Sequence, residues 1–236
     1  MPPSAIGHEV ATDLFGRLLA AHGPQHWWPH QDTDNPRFEI LIGAVLTQHT
    51  AWTNVERAIA TLRRAGPLTA ETLLAYDDLA ELVRQAGPHR VKAERLLALC
   101  EWFVTQGGFD AIEAMDTPAL CKALRATHGV GPETADVIAL YAFNRPRFVA
   151  DAYAFRIFER LGWCPAGQGS RRYERLREQM EVALPDAEAA YFDEYHALIV
   201  EHAKHSCHKS RPACDVCALV SICAQIGVMP RAVAAE

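Results

Sequence analysis

His128-Gly129-Val130-Gly131-Pro132-Glu133-Thr134-Ala135-Asp136 lies between two segments of helical period, and its reading decides the fold. Ahead of it, Thr117-Pro118 places a capping hydroxyl before a proline at the first helical position, and the pattern predicts a helix from Pro118 to Ala126. Beyond it, Pro132 opens a second helix where its missing N–H costs nothing, and that helix is predicted to run on to Phe143. Gly129 and Gly131 let the backbone turn tightly and turn consecutive amides outward. Amides at a helix start suit an anion such as phosphate. A Gly-x-Gly turn also joins many helix pairs that bind nothing, so the spacing alone leaves both readings open.

Outward from the hairpin the helical period persists. Val10, Leu14 and Leu18 share one helical stripe, and Val55, Ile59 and Leu62 share another. Thr53 with Glu56, and Asp78 with Glu81, have the spacing of capping boxes. Sustained apolar–polar alternation and repeats of solenoid length are missing, so the expected fold class is all-α. The last residues, from about Val228, read as a loosely held tail. Of 236 residues, 50% are hydrophobic, enough for a sizeable core in one large or two small domains. Disorder, collagen-like structure and membrane embedding are excluded by that composition and by the lack of a bilayer-length apolar run. Met1-Pro2-Pro3-Ser4 does not resemble a secretion signal, so the expected location is cytoplasmic. With 23 Lys and Arg against 29 Asp and Glu the net charge is −6, which argues against a nucleic-acid coat but leaves room for a local basic groove.

The seven cysteines are unevenly placed. Cys100, Cys121 and Cys164 stand alone and read as ordinary buried thiols. Cys207, Cys214, Cys217 and Cys223 crowd together as C-x6-C-x2-C-x5-C. Disulfides are not expected without a secretion signal, so the four point to a metal centre. Structural zinc usually takes two short-looped pairs, and only one C-x2-C is present. A four-cysteine iron–sulfur cluster tolerates the wider, uneven loops.

The hairpin, the segment Val149-Ala150-Asp151-Ala152-Tyr153-Ala154-Phe155-Arg156 and the cysteine array together resemble the endonuclease III superfamily of base-excision DNA glycosylases. The likeness runs from about Phe38 to Cys223. It implies two helical domains with a DNA groove between them. Residues 37–149 would form a six-helix barrel carrying the helix–hairpin–helix. Residues 1–36 and 150–226 would form the iron–sulfur domain, and 227–236 the tail. By the same resemblance the four cysteines bind a [4Fe–4S] cluster and Asp151, behind a strand-like lead-in, is the catalytic aspartate. Gly129, Val130 and Gly131 would contact DNA phosphate, as would Lys209 and Arg211 between the first two cluster ligands. The expected partner is damaged double-stranded DNA, bound by a monomer with no membrane association.

Breaking an N-glycosidic bond builds positive charge on the sugar, which a fixed carboxylate stabilises while it orients water. Without the resemblance, Asp151 would read as a helix N-cap. Bifunctional members of the superfamily carry an imine-forming lysine where this chain has Glu133, and a carboxylate cannot form that imine. Glu133 thus predicts a monofunctional enzyme, and neither Lys92 nor Lys122 is placed by the sequence to substitute. Gln25-His26-Trp27-Trp28-Pro29-His30, with Leu46-Thr47-Gln48-His49-Thr50 and Glu133, is similar to the 3-methyladenine glycosylase branch. Trp27 and Trp28 would then face an alkylated, cationic purine, although two tryptophans also serve as core anchors. Gln48 or His49 would fill the vacated base stack, with His49 favoured by an ungapped reading. Pro88 occupies the place of the apolar wedge, where the family typically has leucine, which points to weak or atypical strand opening. The alternatives are a bifunctional lyase acting on oxidised pyrimidines, a non-catalytic damage-binding module, and an electron-transfer protein.

Overall fold

The computed structural model describes residues 6–28 and 34–228, and every regular element among them is helical. Pro29 and His30 of the tryptophan segment, Met1 to Ser4, and the tail beyond Val228 lie outside the described residues. In chain order the helices are α1 (His8–His22), α2 (Pro36–Leu46), α3 (Trp52–Ala65), α4 (Ala70–Leu74), α5 (Leu79–Leu82) and α6 (His89–Thr105). There follow α7 (Gly108–Glu113), α8 (Thr117–Ala126), α9 (Pro132–Phe143), α10 (Ala152–Leu161), α11 (Gly169–Ala183) and α12 (Ala189–His205). Short 3-10 turns occupy Arg84–Ala86 and Cys214–Val216. The all-α expectation holds. The lead-in to Asp151 is not a strand: residues 144–151 carry no regular element, although Phe148, Val149 and Ala150 are buried. No helix among the described residues is long and apolar enough to cross a membrane.

The chain divides into two units. One is Trp28–Arg147; the other joins the residues up to Trp27 to those from Phe148 onward.

In the Trp28–Arg147 unit, α2 is the central helix. Its run Phe38-Glu39-Ile40-Leu41-Ile42-Gly43-Ala44-Val45-Leu46 is buried on every side, and all of it is apolar but Glu39. Helices α3, α6 and α9 pack against it. Val55, Ile59 and Leu62 project from α3 into this core, as the stripe predicts. Helix starts were read less well. Asp78 caps α5 through the Glu81 amide at 3.1 Å, as expected. Helix α3 instead starts at Trp52, with Ala51 as its N-cap and Thr53 already inside, because backbone bonds from Asn54 and Val55 to the Ala51 carbonyl close the first turn. Helix α8 is capped by the Asp116 carboxylate, which accepts from the Ala119 amide at 2.7 Å and leaves Thr117 as the first helical residue. Helix α9 ends at Asn144, whose left-handed backbone (φ 51°) suits that residue type.

In the other unit, α12 carries the core, packing on α1 and α10. Ala11, Leu14 and Leu18 are the buried stripe of α1, with Val10 only half-buried. Fully buried Tyr195 donates its hydroxyl to the Ala11 carbonyl at 2.9 Å, fastening α12 to α1. Phe148 meets the Tyr195 ring edge-on at 5.7 Å, seating the entry to α10 on the same core.

Candidate active site

Three loops of the Trp28–Arg147 unit are bound to one another. In the hairpin, Gly129 has φ 80°, and a Cβ there would fall 2.1 Å from Cγ of Arg95. Only glycine fits. Gly131 is different: it N-caps α9 with φ −86°, and a Cβ would meet nothing within 4 Å. Packing within the chain does not demand glycine there, whereas close approach of a ligand to the α9 start would. The first turn of α9 supplies N–H groups without intrahelical partners. Val130 behaves otherwise than its neighbours. Its side chain is buried and its amide is bonded to the Thr127 carbonyl at 3.1 Å, so it anchors the hairpin rather than offering a donor. Glu133 is exposed in the first turn of α9, while Asp136 turns inward and pairs with Arg147 at 2.8 Å.

The loop after α2 sits beside the hairpin. Gln48 Nε2 donates to the Gly129 carbonyl at 3.0 Å and to Thr134 Oγ1 at 2.9 Å, and its Oε1 accepts from Arg95. Gln48 is thereby committed to holding the hairpin. The next residue, His49, is exposed and has a left-handed backbone (φ 53°), a conformation that costs a non-glycine residue about 1 kcal/mol or more. On the other side, Thr50 Oγ1 donates to the Ala86 carbonyl at 2.6 Å. That carbonyl lies just before Gly87 (φ 93°) and exposed Pro88, the N-cap of α6. Beneath both loops is Lys92, a residue to which sequence reading gave no place. Trp28 is half-buried in the same unit, 5.2 Å from the Trp52 ring and 4.8 Å from the Tyr141 ring. Gly43 makes room for it, since a Cβ there would lie 3.3 Å from the Trp28 ring.

In the other unit, Asp151 is the N-cap of α10. The Ala154 amide donates to Oδ1 at 2.8 Å, and Oδ2 lies 3.7 Å from Nε2 of buried His196. The Asp151 side chain is 15% exposed, so it is held but not sealed. Trp27 lies over His196, with ring centroids 5.3 Å apart. The two adjacent tryptophans thus have unlike neighbours. His196 escaped sequence reading because a lone histidine within an apolar helix carries no distinguishing signal.

The cysteine segment is gripped by α10. Buried Arg160 donates from Nη1 to the Cys207 and His208 carbonyls at 3.2 and 2.8 Å and to Cys207 Sγ at 3.0 Å. Its Nη2 donates to the Lys209 carbonyl at 2.9 Å, and Arg156 adds bonds to the Cys207 and Ala203 carbonyls. Two arginines at i and i+4 behind Asp151 were the available signal. Burial raises the Cys217 and Cys223 thiols above their ordinary pKa, and the charge of the other clustered cysteines raises each further. The Gln225 amide donates to Cys223 Sγ at 3.4 Å. Four cysteines in one short segment, with Arg160 donating to Cys207 Sγ and the Gln225 amide to Cys223 Sγ, are a donor set that suits a cation requiring thiolates. Among the described residues, however, no three Cys, His, Asp or Glu side chains are gathered as a metal-binding group. Lys209 and Arg211 are exposed. Isolated Cys100 and Cys121 are buried, as expected, with thiols pushed up to about 12 and about 11 chiefly by that burial.

The family model described as HhH-GPD superfamily base excision DNA repair protein matches residues 42–183. The chain is 40% identical over 220 residues to MJ1434 of Methanocaldococcus jannaschii, whose name describes it provisionally as a DNA repair glycosylase, covering 91% of this chain and 96% of that one. Among solved structures it is similar to Helicobacter pylori 3-methyladenine DNA glycosylase (MagIII) bound to 1,N6-ethenoadenine, with TM-score 0.65, 25% identity, and 84% and 96% of the two chains covered. A non-covalent endonuclease III–DNA complex shares the fold at TM-score 0.75 and 19% identity, covering 92% and 95%. The chain belongs to the HhH-GPD superfamily of base excision DNA repair proteins, the group of DNA N-glycosylases that includes endonuclease III.

Proposed function

We propose that the protein is a monofunctional glycosylase that hydrolyses alkylated purines out of duplex DNA, with Asp151 as its catalytic carboxylate. The observation that carries the reading is the mounting of Asp151. One oxygen is fixed by the Ala154 amide, the other faces His196, and part of the side chain stays accessible. A carboxylate fixed in this way stabilises the cationic sugar and orients water without having to reorganise during the reaction. Glu133 supports the hydrolytic version, because by the resemblance to the superfamily this exposed carboxylate replaces the imine-forming lysine of bifunctional members.

Substrate choice rests on aromatic residues and on the similarity to the H. pylori enzyme. An alkylated purine is cationic, its glycosidic bond is already weakened, and an indole face attracts it. Trp27 and Trp28 are the indoles proposed for that contact. Extrusion of the base needs residues that enter the stack. His49, exposed while Gln48 is committed elsewhere, and Pro88 fill those roles. Phosphate would be held by the Gly129–Gly131 turn and the start of α9, and by Lys209 and Arg211.

Cys207, Cys214, Cys217 and Cys223 would hold a [4Fe–4S] cluster, which when bound cross-links the segment after α12. Arg160, reaching both Cys207 Sγ and the Lys209 carbonyl, would then join that cross-link to α10, the helix that begins at Asp151. The cluster's work in this reading is to hold position.

A release assay across alkylated, oxidised, deaminated and mismatched bases in duplex DNA tests the substrate class. Free methylated purine should appear first and fastest, and preferential release of an oxidised pyrimidine would contradict the reading. Salt tests the phosphate contacts. Affinity should fall steeply with ionic strength, and Lys209→Ala should lower the log–log slope by about 1 for every sequence. A flat salt response would remove Lys209 and Arg211 from the DNA contact.

A further inference from the structure

Lys92 is 1% exposed, and its ammonium lies among three oxygens. Nζ donates to the Leu46 carbonyl at 2.7 Å, to Thr50 Oγ1 at 2.5 Å and to the Ala86 carbonyl at 2.5 Å. All three donors of the ammonium are therefore used. The Leu46 carbonyl ends α2 where the loop that carries His49 begins, Thr50 closes that loop, and Ala86 precedes Gly87-Pro88. Burying a cation against neutral dipoles is expensive, and a methylene chain ending in a methyl group would pack there at far lower cost. A connection between the two loops is what the charge gains in return. Thr50 reinforces it, since its hydroxyl also donates to the Ala86 carbonyl. Burial, with the Arg95 guanidinium nearby, lowers the amine to about 8, while oxygen acceptors favour its charged form.

We propose that Lys92 is a positioning residue that locks the His49 loop and the Pro88 loop into one rigid unit, so that both enter the duplex together. This rests on the glycosylase reading above, in which His49 and Pro88 are the residues that enter the stack. Lys92 does not touch substrate. Its effect falls on the extrusion step, and a base that has no partner to part from makes a smaller demand on that step.

The test uses Lys92→Met in the full-length protein, with Thr50→Val as a milder variant that removes one acceptor. Single-turnover release is measured from a methylated purine in a paired duplex and from the same base opposite an abasic site. The ratio of the paired to the unpaired rate should fall by about tenfold or more in Lys92→Met and by less in Thr50→Val, because only the paired base must also break its pairing to leave the duplex. Parallel loss on both substrates, or an unchanged ratio in both variants, would overturn the proposal. Amide exchange provides a readout independent of activity. Lys92→Met should speed exchange at residues 47–50 and 84–87 together by about tenfold while residues 55–62 stay protected. Acceleration of one loop only, or of the whole unit equally, would also overturn it. Failure of the wild type to release any base would sink the glycosylase reading instead, leaving the exchange result to decide the clamp.

Discussion

Asp151→Asn should abolish base release almost completely and leave the fold untouched. The carboxylate is assigned the largest electrostatic share of catalysis, and removal of a comparable preorganised group costs about 100- to 1,000-fold in rate. What makes the substitution decisive is the second role of the residue. Asp151 also caps α10, and an asparagine caps a helix about as well as an aspartate. The Ala154 bond would survive, α10 would start at the same place, and the midpoint of thermal unfolding should barely move. Asp151→Ala removes both functions, so it should show the same loss of rate plus about 0.5–2 kcal/mol of destabilisation from the missing cap. The comparison separates catalysis from capping. Full activity in Asp151→Asn with lower stability in Asp151→Ala would reduce the residue to its structural role.

Cys217→Ser should have an effect as large on the other half of the proposal. The wild-type protein is expected to be brown with broad visible absorption, and the variant colourless. Without the cross-link, the segment from Cys207 to Cys223 would be held by weaker ties: Arg156 and Arg160, the Arg17–Ser221 bond, buried Leu219 and a few amides. Limited proteolysis should then cut after His205 in the variant and not in the wild type, as expected for a released surface segment. A colourless wild type with stoichiometric zinc would replace the cluster with a different metal. A metal-free wild type that resists proteolysis would show that the protein's own contacts are sufficient.

Local chemistry made much of this molecule legible in its sequence. The Gly-Val-Gly-Pro turn, the flanking helices and the stripe of α3 follow from dihedral and burial rules that act over a few residues. Cap positions slipped by a residue or two at α3 and α8, because the hydroxyls of Thr53 and Thr117 were given weight that backbone closure at Ala51 and the carboxylate of Asp116 took over. The choice between Gln48 and His49 could not be made from spacing. It depends on Arg95 and Thr134, distant in sequence, which bind the Gln48 side chain and leave His49 outside. The places of Lys92 and Arg160 were illegible for a related reason. Charged residues usually sit at the surface, and only the arrangement of carbonyls around these two reveals that they are interior fasteners. Val130, expected with its glycine neighbours at the DNA contact, has a further role that its spacing did not announce: its buried side chain seats the turn.

Borohydride added during turnover tests the central claim most directly, because it reduces an imine between enzyme and sugar to a permanent link. With wild-type protein and a duplex carrying a methylated purine, free base should accumulate while no protein–DNA adduct forms and the strand stays uncut. A trapped adduct, appearing in step with base release, would mean that an amine of this chain attacks the sugar and that water is not the nucleophile.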